Sequence, residues 1–208
     1  MRARFDHLTV TAPTLESGAA FVRQALGVAP GPGGQHPRMG THNLLLKLGE
    51  ATFLEVIAID PQAPPSARPR WFALDVAADM HVPRLAAWVA RTDDLRACPN
   101  ELLQHIGPIE TMTRGAREWL ITIPADGTLP LGGALPMLIE WRSPRSPAGA
   151  GLPEAGCSLA TLGLRHPLPD NLASMLALAG LEDAVDIAAG VPGLWADIVT
   201  PHGLRRLG

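Results

Sequence analysis

The sequence predicts an α+β fold of two βαβββ units in tandem, with a smaller, partial βαββ unit after them. Three observations carry this. A strand-like run at 5–10 leads into a capped amphipathic helix, and three more strand-like runs follow before a proline-rich break at 60–70. The same order of strand, helix and three strands returns between 85 and 142. A linker-like stretch at 143–156 then precedes another strand-and-helix pattern.

In the first strand, alternation places Leu8 and Val10 on one face and Phe5, His7 and Thr9 on the other. A histidine thus stands where a half-buried strand ordinarily carries an aliphatic residue. Pro13 breaks the strand, Thr14 is an N-cap, and Glu16 suits the first helical turn. Leu15, Ala19, Val22 and Leu26 then form one apolar stripe, and Gly27 is a natural left-handed stop. Strands are expected at 33–39, 42–48 and 52–59. The last reads Phe53-Leu54-Glu55-Val56-Ile57, a carboxylate within an apolar strand.

Past the connector, 71–80 reads as a short helix or turn, 85–92 as a strand and 93–106 as a helix stopped by Gly107-Pro108. Strands at 109–112, 118–123 and 137–142 complete the second unit. Beyond the linker, 158–165 reads as a strand, 170–179 as a helix, and 185–189 and 195–200 as two strands. The chain is thereby divided at 1–62, 63–143 and 144–208.

With 47% hydrophobic and 18% charged residues, the 208-residue chain has ample material for a core. A net charge of -3 and a pI near 6.1 leave no electrostatic case for binding nucleic acid. No apolar run reaches membrane-spanning length and no secretory pattern opens the sequence, so the expected location is the cytoplasm. Cys98 and Cys157 have neither metal-ligand spacing nor the number for a disulfide framework. GxSxG, HExxH, Walker A and strand-linked GxGxxG motifs do not occur, which removes the serine hydrolase, zincin and nucleotide-binding readings.

Five stretches carry a family resemblance: Phe5-Asp6-His7-Leu8, the run from His36 to Asn43, Phe53-Leu54-Glu55, Thr92-Asp93-Asp94-Leu95, and Leu138-Ile139-Glu140-Trp141. Over residues 4–143 the chain resembles the vicinal-oxygen-chelate superfamily, with its glyoxalase/bleomycin-resistance/dioxygenase fold, and most of all the glyoxalase-like branch. The resemblance implies that the two units curl into one cup, with the first and last strands of each unit side by side. It implies a divalent-metal site made by His7, Glu55 and Glu140. Imidazole with carboxylates suits Zn, Fe, Mn or Ni without choosing among them, and leaves positions open for substrate oxygens. Laying the second unit on the first through Leu15 and Leu95 sets His7 on Ala87 and Glu55 on Glu140, so the second unit lacks a first-strand ligand.

Glu55, Glu140 and His42 are the candidate acid–base groups, with His42 at the rim of the cup. Asn43, Arg114 and Trp119 are the candidate substrate contacts, Arg114 being suited to an anion. His81, His105, His166 and His202 read as surface or turn residues. The competing reading makes His7 a hydrogen-bonded core histidine and pairs the carboxylates with Arg91 or Arg114. Two functions follow from these alternatives. One is a metal-dependent enzyme of lyase, isomerase or dioxygenase type acting on a small oxygen-rich substrate. The other is a metal-free protein that binds or sequesters a small molecule, which Ala87 favours. The expected partners are a small-molecule substrate and at most a second copy of the chain as a homodimer, with no nucleic acid and no membrane.

Overall fold

Local signals set the first helix where the sequence places it. α1 (Leu15–Leu26) is closed at its start by a capping box, in which the Thr14 hydroxyl accepts from the Ser17 amide and the Ser17 side chain accepts from the Thr14 amide. It ends at Gly27 with φ of 74°, a conformation that glycine adopts without cost. Val22 and Leu26 are wholly buried. Gly18 lets the helix settle on the sheet: a Cβ there would lie 2.3 Å from Val56 Cγ1.

This computed structural model describes residues 1–76, 82–143 and 146–208. Around α1 the first unit consists of β1 (Arg4–Thr11), β2 (Gly31–His36), β3 (Thr41–Lys47) and β4 (Phe53–Ile59). The second consists of β5 (Arg84–Arg91), α2 (Asn100–Ile106), β6 (Ile109–Arg114), β7 (Arg117–Thr122) and β8 (Met137–Ser143). All eight strands form one sheet in the order β2-β3-β4-β1-β5-β8-β7-β6. First and last strands pair in parallel within each unit, and β1 meets β5 antiparallel at the centre. The helix expected at 93–106 is divided. Pro99 forces Cys98 into an extended conformation (ψ 129°), so a 3₁₀ turn at Leu95–Ala97 stops before α2 begins.

The sheet curls until its edge strands are bridged. Arg38 donates to the Thr111 carbonyl (2.7 Å) and to Glu110 (2.5 Å), and Arg68 also donates to Glu110 (2.8 Å). Burial pushes the Glu110 carboxyl up, but its two arginine partners outweigh this and hold it below the usual carboxylate range. Of the helix or turn expected at 71–80, a 3₁₀ turn at Trp71–Ala73 is present, while 77–80 and His81 lie outside the described residues. In the linker the same holds for 144–145.

The third unit forms a second sheet, with β9 (Ser158–His166), α3 (Pro169–Leu178), β10 (Asp186–Ala189), β11 (Gly193–Thr200) and β12 (Gly203–Leu207) in the order β10-β9-β11-β12. It has one strand more than the sequence reading reached, β12, and β9 lies between β10 and β11. Leu162, Leu164, Leu176 and Ile198 join Leu8, Leu54 and Trp88 in one core on the helix-bearing side of the large sheet. The concave side is left to the site.

Candidate functional site

A bulge in β1 builds one wall of the cup. The register of β1 on β5 shifts between Phe5 and His7. Phe5 therefore packs with the helix-side core rather than sharing the face of His7 as alternation predicted. Asp6, at 0% exposure, accepts from His7 Nδ1 (2.7 Å), Trp141 Nε1 (3.0 Å) and Arg91 Nη1 (3.4 Å). That contact puts a proton on Nδ1 and turns Nε2 to the cup.

The parallel pairing of β1 with β4 sets His7 beside Phe53, on which its ring stacks at 4.4 Å, and Thr9 beside Glu55. Glu55 Oε2 then stands 3.8 Å from His7 Nε2. Its other oxygen accepts from Asn43 Nδ2 (2.6 Å), and Asn43 Oδ1 accepts from the Gly34 amide (2.7 Å). Both atoms of the facing pair are thus fixed from behind. β2 crosses Asn43 so closely that a Cβ at Gly33 would lie 2.2 Å from Asn43 Oδ1.

The opposite wall is cationic. His36, 5% exposed, touches Thr41 Oγ1 through Nδ1 (3.1 Å) and Arg114 Nη1 through Nε2 (3.3 Å). Burial, and then the Arg114 charge, push its pKa down to about 3, so the ring is neutral. A guanidinium only donates, so Nε2 accepts and Nδ1–H points to Thr41, whose hydroxyl also accepts from Trp71 Nε1 (3.2 Å). Burial lowers the pKa of Arg114 and the Glu55 charge opposes that shift, while no carboxylate among the described residues lies within ion-pair distance of its guanidinium. Trp119 and Trp141, with ring centroids 5.7 Å apart, complete the cleft.

The structure brings together His7, Glu55, Asn43, Arg114 and Trp119 and leaves two expected residues outside. Glu140 sits on β8 between Ile139 and Trp141, which line the cup, so alternation turns it to the other face. There it accepts from the Leu95 amide (2.8 Å) and from Arg142 (2.6 Å), the structural role of the competing reading with a different arginine. His42 lies between Thr41 and Asn43 and shares the helix side with Leu44, near enough to α1 for its charge to act on Glu16. It is not a rim histidine. Ala87 does face the concave side, but it pairs with Thr9, and the residue opposite His7 is Val89. His36 and Asp6 are the residues that sequence reasoning passed over. For Asp6 the signal was there, an acid adjacent to a strand histidine.

A catalytic metal asks for about three protein ligands. His7 Nε2 and Glu55 Oε2 converge, but the lone pair of His36 is committed to Arg114, which also sets a fixed cation in the cavity. The second unit presents Val89, Ile139 and Trp141 where further donors would stand. Among the described residues no group of three or more His, Cys, Asp or Glu is arranged to hold a metal ion. The donor set therefore does not fit the divalent metal expected from the sequence.

The family model of the glyoxalase-like domain matches residues 5–180. None of the curated proteins matches the sequence. Among solved structures, a hypothetical protein from Staphylococcus aureus is similar over 99% of this chain and 84% of its own, with 16% identity and a TM-score of 0.61. At that identity the likeness speaks for the fold. A mutant 4-hydroxymandelate synthase from Streptomyces coelicolor is similar over 97% of this chain and 60% of its own, with 14% identity and a TM-score of 0.49. A methylmalonyl-CoA epimerase in complex with methylmalonyl-CoA covers 71% of this chain and 100% of its own, with 14% identity and a TM-score of 0.46. With two βαβββ units curled into one cup and the family match spanning most of its length, the chain belongs to the glyoxalase-like domain family of the vicinal-oxygen-chelate superfamily.

Proposed function

We propose that the cup is the active site of an enzyme of isomerase or lyase type that moves a proton on a small oxygen-rich substrate. The observation that carries this is the facing pair, His7 Nε2 and Glu55 Oε2 at 3.8 Å, each held from behind by a buried polar group. A substrate atom seated between them lies within reach of both, so one can take a proton while the other returns it. Asp6 keeps the imidazole oriented as its charge changes. Arg114 supplies positive charge in the same cleft, where it can stabilise negative charge developing on the substrate. The metal-free binding reading draws support from the tryptophan wall of the second unit, which offers apolar surface and no reactive group.

The test is hydrogen exchange in D2O. A panel of short hydroxy- and oxo-carboxylates is incubated with the protein, and deuterium incorporation at carbon is followed by proton NMR. Wild type is expected to exchange at least one member, and Glu55→Gln to slow that exchange by about 10² or more. Ligands that bind without any exchange would transfer the cup to the binding reading.

A further inference from the structure

The cup has an asymmetry that describes its ligand. On one side stand His7 Nε2 and Glu55 Oε2, fixed 3.8 Å apart, beyond the reach of a direct hydrogen bond. Neither can swing away, because Asp6 and Asn43 hold the remaining polar atom of each side chain. An oxygen beside the pair can lie at ordinary hydrogen-bond distance from both atoms at once. On the other side Arg114 brings a cation into the cavity with no carboxylate among the described residues in ion-pair reach. Among the described residues its one side-chain hydrogen bond goes to His36, and the guanidinium has further N–H groups that a ligand can meet. Trp119 and Trp141, whose planes are inclined by 44°, supply an aromatic flank between the two sides.

We infer that the ligand of this cup is a short hydroxycarboxylate with a flat apolar side group: its carboxylate on Arg114, its hydroxyl between His7 Nε2 and Glu55 Oε2, and its side group on Trp119 and Trp141. The assignment of a hydroxyl rests on the proton-transfer reading above. A hydroxyl donates to Glu55 Oε2 and can accept from His7 Nε2 whenever that nitrogen holds the proton, so it links the two atoms along a proton path, whereas an ammonium only donates. The placement of charge agrees: Asp6 is paired with Arg91, while among the described residues Arg114 has no carboxylate at contact distance, so an incoming anion can meet its guanidinium directly.

Matched probes test this on the wild-type protein without any turnover. Dissociation constants are measured calorimetrically for each enantiomer of phenyllactate, for 3-phenylpropanoate, which lacks the hydroxyl, for 3-phenylpropane-1,2-diol, which lacks the carboxylate, and for phenylalanine, which replaces hydroxyl by ammonium. One phenyllactate enantiomer is expected to bind about tenfold or more tighter than each of the other three compounds. Arg114→Met should bring phenyllactate to the level of the diol and leave the diol unchanged, and Glu55→Gln should bring it to the level of the propanoate. Equal binding of phenyllactate and the propanoate would remove the hydroxyl from the inference, and equal binding of phenyllactate and the diol would remove the carboxylate. Phenylalanine binding as tightly as phenyllactate would replace the hydroxyl by an ammonium. Failure of all four to bind would overturn the ligand class, while exchange in D2O on other substrates would leave the proton-transfer reading in place. The comparison among ligands on wild type needs no variant to fold.

Discussion

Replacing Asp6 with alanine is expected to cost the fold about 3–5 kcal/mol, the usual range for removing one partner of a buried ion pair. Asp6 is inaccessible to solvent and accepts from three donors that come from three different strands. Its removal leaves the Arg91 charge uncompensated in a place where one guanidinium nitrogen, Nε, already has no partner. Arg91 would keep its bonds to the Phe5 and Ala51 carbonyls, so the loss is of charge balance more than of every hydrogen bond. The Trp141 and His7 ring N–H groups would also lose their acceptor. Asp6→Asn should fall between, because an amide accepts on one side only and turns a donor toward one of the three donors. Urea denaturation midpoints at constant m value measure both changes. A cost below about 1 kcal/mol for Asp6→Ala would mean that this network does not hold the floor of the cup together.

The second large effect is a loss of stability in acid traced to His36. In the unfolded chain an imidazole takes up a proton near pH 6.5, whereas in the folded protein burial and Arg114 delay uptake to about pH 3. Between those values the unfolded state binds more protons, so stability falls as the pH falls. The contribution is intact above pH 6.5 and lost progressively down to pH 3. From pH 7 to pH 4.5 the expected loss is about 2–3 kcal/mol from this residue. Glu110, whose carboxyl is held low by Arg38 and Arg68, also loses stabilisation in acid, and for that reason the comparison with a variant is decisive. His36→Gln keeps an acceptor for Arg114 and a donor for Thr41 but takes up no proton. Its stability should decline less steeply than that of wild type over this range. Parallel curves would show that His36 is not kept neutral by its surroundings.

The parts of the fold that were legible in the sequence are those set by local chemistry. Thr14, the stripe ending at Leu26 and Gly27 define α1 without reference to the rest of the chain. What could not be read depends on parity and register. Glu140 and His42 each lie one residue from positions that do line the cup, and a single step along a strand reverses the face. The match of His7 to Ala87 was anchored on Leu15 and Leu95 as helix starts. Leu95 opens only a 3₁₀ turn and α2 begins at Asn100, so that anchor misplaced the second unit. His36 closes a strand of Gly-Pro-Gly-Gly-Gln-His, which has no alternation to indicate a face, and only its pairing with Thr41 on β3 directs it inward. In the third unit, Arg205-Arg206 concealed a strand, since β12 keeps both on its exposed surface with Arg206 paired to Asp197.

The claim at the centre of this account is that His7 and Glu55 carry protons themselves and are not two ligands of a metal whose remaining donors lie elsewhere. Deuterium exchange measured on one protein preparation, before and after exhaustive dialysis against a chelator and again after addition of Zn, Fe, Mn or Ni, tests it most directly. The account predicts one exchange rate throughout, with Glu55→Gln slow in every state. A rate abolished by dialysis and restored by one of these metals would contradict it.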